Sequence, residues 1–107
     1  MKERKELFFH EVLAKTRAGR IRWQPTANES AFCAIIPGYA VGLASAEVGG
    51  HKRIALTLAE FGQALLTVIG GDDVSQTEMD ELYELVQTRT EEADAKVDSA
   101  IEALANL

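Results

Sequence analysis

The side chains best suited to chemistry in this sequence are few and scattered. Cys33, His10 and His51 are its only thiol and imidazole groups. A nucleophilic cysteine needs a base or a cation beside it. Cys33 instead lies between Phe32 and Ala34 in an alternating apolar run, the usual setting of a buried, inert thiol. His51 follows Gly49-Gly50 in a hairpin-loop context, and His10 falls inside a helical pattern, so no local spacing joins the three. Two histidines and one cysteine make a poor metal-ligand set, and no phosphate-cradling glycine loop is present. The expectation is a non-enzyme without cofactor or metal.

Charged residues offer more. Carboxylates recur at helical spacing in Asp80-Glu84, Glu91-Asp94 and Asp94-Asp98. General-acid work needs carboxylates in unequal environments within a cleft, whereas a helix's polar face keeps them solvated. Such a face can dock on a basic protein surface, with Asp80, Glu81, Glu84, Glu91, Asp94 and Asp98 as partner-binding candidates. Lys15, Arg17, Arg20 and Arg22 form a basic group with Trp23 beside them, a composition that suits nucleic acid. The net charge of −6 argues against that use, and the group can instead neutralise acidic side chains within the fold or across a dimer. An alternative site is a ligand or nucleotide pocket between sheet and helices, using Arg20, Arg22, Trp23 and Tyr39. Gly70-Gly71-Asp72-Asp73 invites comparison with the signature of diguanylate cyclases. Those domains place it on a hairpin in a larger scaffold, whereas here it leads into a helix cap, so a strand-to-helix turn is expected.

The charge is divided along the chain. Residues 1–22 carry seven Lys/Arg against three Glu, and residues 72–107 carry eleven Asp/Glu against Arg89 and Lys96. An acidic third that keeps a helical apolar stripe reads as a folded anionic face, not a disordered tail. It repels nucleic acid and anionic membrane and favours basic partners. At 107 residues there is room for one domain, burying roughly two-thirds of the unfolded chain's surface. No segment approaches the ~20 apolar residues of a membrane span. Leu7-Phe8-Phe9 is too short for a signal peptide's apolar region, and the single cysteine forms no internal disulfide, so a cytoplasmic location is expected.

The elements that position these residues follow from periodicity. Phe8, Phe9, Val12, Leu13 and Thr16 recur at three- and four-residue steps, predicting a helix over 2–18 that Gly19 stops. The period then changes to two. Ile21 and Trp23 alternate with Arg20 and Arg22, predicting a short strand ended by Pro25. Phe32, Ala34 and Ile36 share one face of a second strand, and Pro37-Gly38 marks a turn. Tyr39, Val41 and Leu43 form a third strand, and Ile54, Leu56 and Leu58 a fourth after Gly49-Gly50. A fifth spans 63–69 after Glu60-Phe61-Gly62. Tight turns between them predict an antiparallel meander of about five strands. Ala40, Gly42, Ala44 and Ala46 share a face that either receives a helix backbone or lies exposed.

Ser75-x-x-Glu78 is a capping box, so a helix begins near Gln76. Met79, Leu82, Val86, Ala93, Val97, Ile101 and Leu104 carry its stripe onward, with polar residues interrupting between Gln87 and Asp94. Thr88-x-x-Glu91 leaves two consecutive helices open beside one long one, which is favoured. A thirty-residue helix is ~45 Å long, against ~20 Å for a six-residue strand. The sheet cannot cover it. The overhang, with Val97, Ile101, Leu104 and Leu107 still apolar, is therefore expected to meet the first helix or a second subunit, or the rod to bend, with a homodimer favoured.

The pattern Leu13-x-Lys15-Thr16-x-x-Gly19-x-Ile21-x-Trp23, followed by a strand-rich middle and a Leu82-Tyr83-x-Leu85-Val86 helix, resembles that of small uncharacterised bacterial and phage proteins. The resemblance implies a bacterial or mobile-element origin and brings no activity or site with it. Small acidic proteins of that origin include inhibitors, immunity proteins and counter-defence proteins. Fold class and function are thus expected to be a single α+β domain that binds protein by surface occlusion.

Overall fold

A computed structural model describes residues 2–107. Among them the chain runs α1 (Lys2–Arg17), β1 (Gln24–Pro25), β2 (Ala31–Ile36), β3 (Tyr39–Val48), β4 (His51–Glu60), β5 (Gln63–Ile69) and α2 (Gln76–Ala105). The five strands form one antiparallel sheet in the order β1-β2-β3-β4-β5. This is the expected α+β arrangement of a helix, a meander and a long final helix.

Local chemistry explains the turns. Gly49 and Gly50 both hold positive φ between the closing pair Val48 and His51, as a two-residue hairpin requires. Phe61 and Gly62 do the same between Glu60 and Gln63. Gly19 ends α1 at φ 72°. There the Arg20 amide donates to the Lys15 carbonyl and the Gly19 amide to that of Thr16, the paired bonds of a Schellman stop.

Period two decides which side of the sheet is covered. Phe32, Ala34, Val41, Leu43, Ile54, Leu56 and Val68 are buried on one face, under Phe9, Val12 and Leu13 of α1 and Met79, Leu82 and Val86 of α2. The two helices run in the same sense: Lys5 pairs with Asp73, His10 with Glu78 and Arg17 with Glu81. Part of the N-terminal basic charge therefore neutralises the start of α2 within the fold.

The opposite face is open. A Cβ at Gly42 would meet nothing within 4 Å, and Ala44 and Ala46 are exposed. Of the two readings of the small-residue face, the structure shows the exposed one.

The expected strand over residues 20–23 is corrected. Ile21 is half-buried and Trp23 buried, so their alternation reports burial of a connecting segment. The edge strand is Gln24–Pro25, paired on one side with Cys33 and Phe32. Pro25 belongs to this strand because an edge position leaves its missing N–H unneeded. Helix α2 is continuous over Gln76–Ala105, and Thr88-x-x-Glu91 caps nothing.

Candidate functional site

The projecting half of α2 is the most distinctive surface of the molecule. Its N-terminus is fixed by the capping box: Ser75 Oγ accepts from the Glu78 amide at 3.1 Å and donates to Glu78 Oε1 at 3.0 Å. The hydroxyl bond, then the bond from His10 at 3.0 Å, holds the Glu78 carboxyl below its ordinary value. Over the next turns Met79, Leu82, Tyr83 and Val86 are buried. Tyr83 packs edge-on to Phe32, lies under the Lys52 ammonium and donates to the Ser30 carbonyl at 3.1 Å. Its burial pushes the phenol upward. Thr90 is the last buried residue, and every residue from Glu91 to Leu107 is exposed. The exposed helical stretch, residues 91–105, is ~22 Å long, consistent with extents of 55 × 35 × 25 Å.

This projection has two faces. Val97, Ile101 and Leu104 are 57%, 58% and 68% exposed, continuing the stripe that the domain buries further back. About a third of a turn away from Val97, a row that begins at Glu84 on the packed part of the helix continues through Glu91 and Asp98 every seven residues, with Glu102 four residues beyond Asp98. They form a row of ~27 Å.

Of the six acidic candidates, Glu84, Glu91, Asp94 and Asp98 make no hydrogen bond or ion pair among the described residues. Two others are engaged. Glu81 receives both Arg17 nitrogens at 2.7 and 2.8 Å, and Asp80 accepts from Gln76 at 2.8 Å. The free acidic surface therefore keeps four of the six expected residues, loses the two nearest the start of α2, and adds Glu92 and Glu102.

The four residues of the alternative pocket are not brought together. Trp23 is buried, with its indole N–H donated to Thr16 Oγ1 at 3.0 Å. Tyr39 is exposed at the start of β3. Arg22 borders a concavity with Gln24, Pro25, Cys33 and Ile35. Arg20 borders a different one, of about 330 Å³, with Phe8, Glu11, Val12, Lys15, Ile21 and Ile36. Sequence patterning did not reveal that apolar cleft, because it joins α1, a connecting segment and a strand end.

The remaining candidates have structural surroundings. Asp73 accepts from the Ile69 amide at 2.9 Å, Asp72 pairs with Arg53 at 3.2 Å, and Gly71 takes φ 90°. Gly70-Gly71-Asp72-Asp73 is thus the turn from β5 into α2. Cys33 lies on the open face of the sheet, opposite Gly42, while His10 is engaged with Glu78 on the helical side. Among the described residues no group of three or more His, Cys, Asp or Glu is placed to hold a metal ion, and no helix is long and apolar enough to cross a membrane.

A residue missed by sequence reasoning is Arg89. It donates from Nη1 to the Thr16 carbonyl at 2.7 Å and from Nη2 to that of Arg17 at 3.1 Å, closing the end of α1 where α2 leaves the domain. The signal was present: it is the only arginine in residues 72–107. Set against protein-family models, curated proteins and solved structures, the chain gives no match in any of the three comparisons.

Proposed function

We propose that the protein is a non-enzymatic binding module that occupies a basic surface of a protein partner, in the manner of an inhibitor, immunity or counter-defence protein. The observation that carries this reading is the acidic row Glu84, Glu91, Asp98 and Glu102 on a helix that leaves the domain fully exposed. A rod bearing unpaired carboxylates over ~27 Å presents a field that speeds encounter with a basic partner and rejects nucleic acid. The apolar stripe with Val97, Ile101 and Leu104 serves self-association into a homodimer and leaves the acidic row outward.

Affinity capture from the native host tests the docking surface. A protein retained by the wild type, released as salt is raised, and lost with Glu84→Lys/Glu91→Lys/Asp98→Lys supports it. Retention by the triple variant without salt dependence overturns it.

A second reading rests on the cleft lined by Phe8, Val12, Ile21 and Ile36 together with Lys15, Arg20 and Glu11. An apolar lining bordered by two cations and one carboxylate keeps one net positive charge, which suits an amphipathic carboxylate. Under this reading, Lys15→Ala/Arg20→Ala abolishes binding of such a ligand while the acidic-row variant leaves it intact.

A further inference from the structure

We propose that the stripe is covered by the same stripe of a second copy, running antiparallel, with Val97 of each chain against Ala100 of the other. This inference rests on the self-association reading and is independent of the acidic row.

The spacing is the first argument. Within the stripe a seam runs from Thr90 through Ala93, Val97, Ala100 and Leu104 in alternating steps of three and four, with Ile101 flanking it. That 3.5-residue period is the seam of a two-stranded coiled coil, narrower than the face a helix turns to a globular core. The domain itself covers this line only as far as Thr90.

Side-chain size supplies the direction. A two-fold axis between residues 98 and 99 sets Leu104 against Ala93 and Val97 against Ala100 of the second copy. Each of the four layers then holds one large and one small residue, as interdigitating packing requires. Parallel pairing would stack Ala93 on Ala93 and Ala100 on Ala100, leaving voids between crowded layers. It would also bring the second domain to the level of the first, on the side that α1 and the sheet already occupy, since they bury Val86 and Thr90 of the same stripe.

The domain edge fixes the register. A shift of one heptad inward drives the second helix into the end of α1, where Arg89 holds the Thr16 and Arg17 carbonyls. A shift of one heptad outward removes the layers built on Ala93. Charge is compatible with the central register: Asp94 comes opposite Ile101, and Lys96 opposite Ala103, so no like charges meet beside the seam. Glu84, Glu91, Asp98 and Glu102 remain on the far side. Four layers give a short interface near the lower limit of specific ones, about 1,000 Å², so a reversible dimer in the micromolar range is expected.

Solution mass across a concentration series and cysteine cross-linking test the proposal. The wild type should pass from one chain to two as concentration rises. Leu104→Asp should remain one chain with an unchanged circular-dichroism spectrum, because the Leu104 side chain is exposed and lies well beyond Thr90, the last buried residue of α2. In a Cys33→Ser background, Val97→Cys chains mixed with Ala100→Cys chains should form a mixed disulfide under mild oxidation, and Val97→Cys alone should not link to itself. A wild type that stays monomeric at all concentrations overturns the proposal, as does a trimer or tetramer. Self-linking of Val97→Cys without the mixed product overturns the antiparallel geometry. The variant Glu84→Lys/Glu91→Lys/Asp98→Lys should keep the dimer mass, so failure of partner docking and failure of pairing are read separately.

Discussion

The Arg89 guanidinium reaches the Thr16 carbonyl at 2.7 Å, tying the last turn of α1 to the point where α2 emerges from the domain. A delocalised cation at a helix C-terminus meets both the last carbonyls, here including that of Thr16 which also accepts from the Gly19 amide, and the negative end of the helix dipole. Its planar fork lets it serve the Arg17 carbonyl at the same time. Arg89→Ala is expected to lower the unfolding free energy by about 1–2 kcal/mol. Arg89→Lys should recover less than half of that, because a point charge does not span two carbonyls. Urea denaturation measures both, and an Arg89→Ala midpoint equal to the wild type's would remove this role.

Thr16 has a second partner in Trp23, whose indole N–H donates to its hydroxyl inside the core. Thr16→Val keeps the side-chain shape and leaves the indole N–H without an acceptor, at an expected cost of about 1–3 kcal/mol. Trp23→Phe removes the donor and also some packing. The double variant should cost less than the two single losses added, since the orphaned donor is gone in that background. A strictly additive result would show that the bond contributes nothing.

How legible these features were depended on whether they were local. The alternation of Phe32-Ala34-Ile36 and of Ile54-Leu56-Leu58, and the glycines between strands, made the meander readable, because period and turn chemistry act over a few residues. The overhang of α2 was readable too, since a thirty-residue helix outruns the strands beneath it. The first strand was misplaced because Ile21 and Trp23 alternate for burial against α1, and a pattern of two does not say what does the burying. The pocket residues failed for a related reason. Whether Arg20 and Arg22 face one cavity depends on the path of a connecting segment, which carries no period. Glu81 looked like a free carboxylate until its spatial neighbour Arg17, 64 positions away in sequence, came into view.

Gly70 shows a constraint of close approach. A Cβ there would lie 2.8 Å from the Met79 Cβ and 2.9 Å from its Cγ, atoms too near the backbone to swing aside. Gly70 is itself held by the hydrogen bond its N–H donates to the Ile54 carbonyl at 3.0 Å and by its bridge to Val74. Gly70→Ala should therefore destabilise by about 1–3 kcal/mol through overpacking, although alanine is ordinarily welcome where glycine has no positive φ. Thermal unfolding checks this, and a variant as stable as the wild type would mean that the start of α2 moves freely.

The Glu78 carboxyl gives a pH signature. The Ser75 hydroxyl first, then His10, hold it below the ordinary value of 4.5. On acidification the unfolded chain takes up this proton before the folded one does. The stabilisation from the capping box is therefore fully present above the ordinary carboxylate range and is lost as pH falls through the lower, folded-state value. The stability difference between wild type and Glu78→Gln should be level above that range and shrink below it. Ser75→Ala should move the Glu78 titration, followed by carboxyl NMR, back toward the ordinary value. A Glu78 titration indifferent to Ser75 would contradict the assigned cause.

Phe61 sits at φ 50° in the turn between β4 and β5 and is fully exposed. The left-handed region costs a bulky side chain about 1–2 kcal/mol, and an aromatic ring with no contact gains nothing there to offset it. Asparagine tolerates this conformation and suits a two-residue hairpin turn followed by glycine. Phe61→Asn is thus expected to raise stability by about 0.5–1 kcal/mol, with the hairpin register of Glu60 opposite Gln63 unchanged. Chemical denaturation gives the stability, and amide exchange of the β4–β5 pair gives the register. A loss of stability would mean that the ring makes a contact in solution that offsets its strain. That outcome would mark the turn as a packed surface and not a free loop tip.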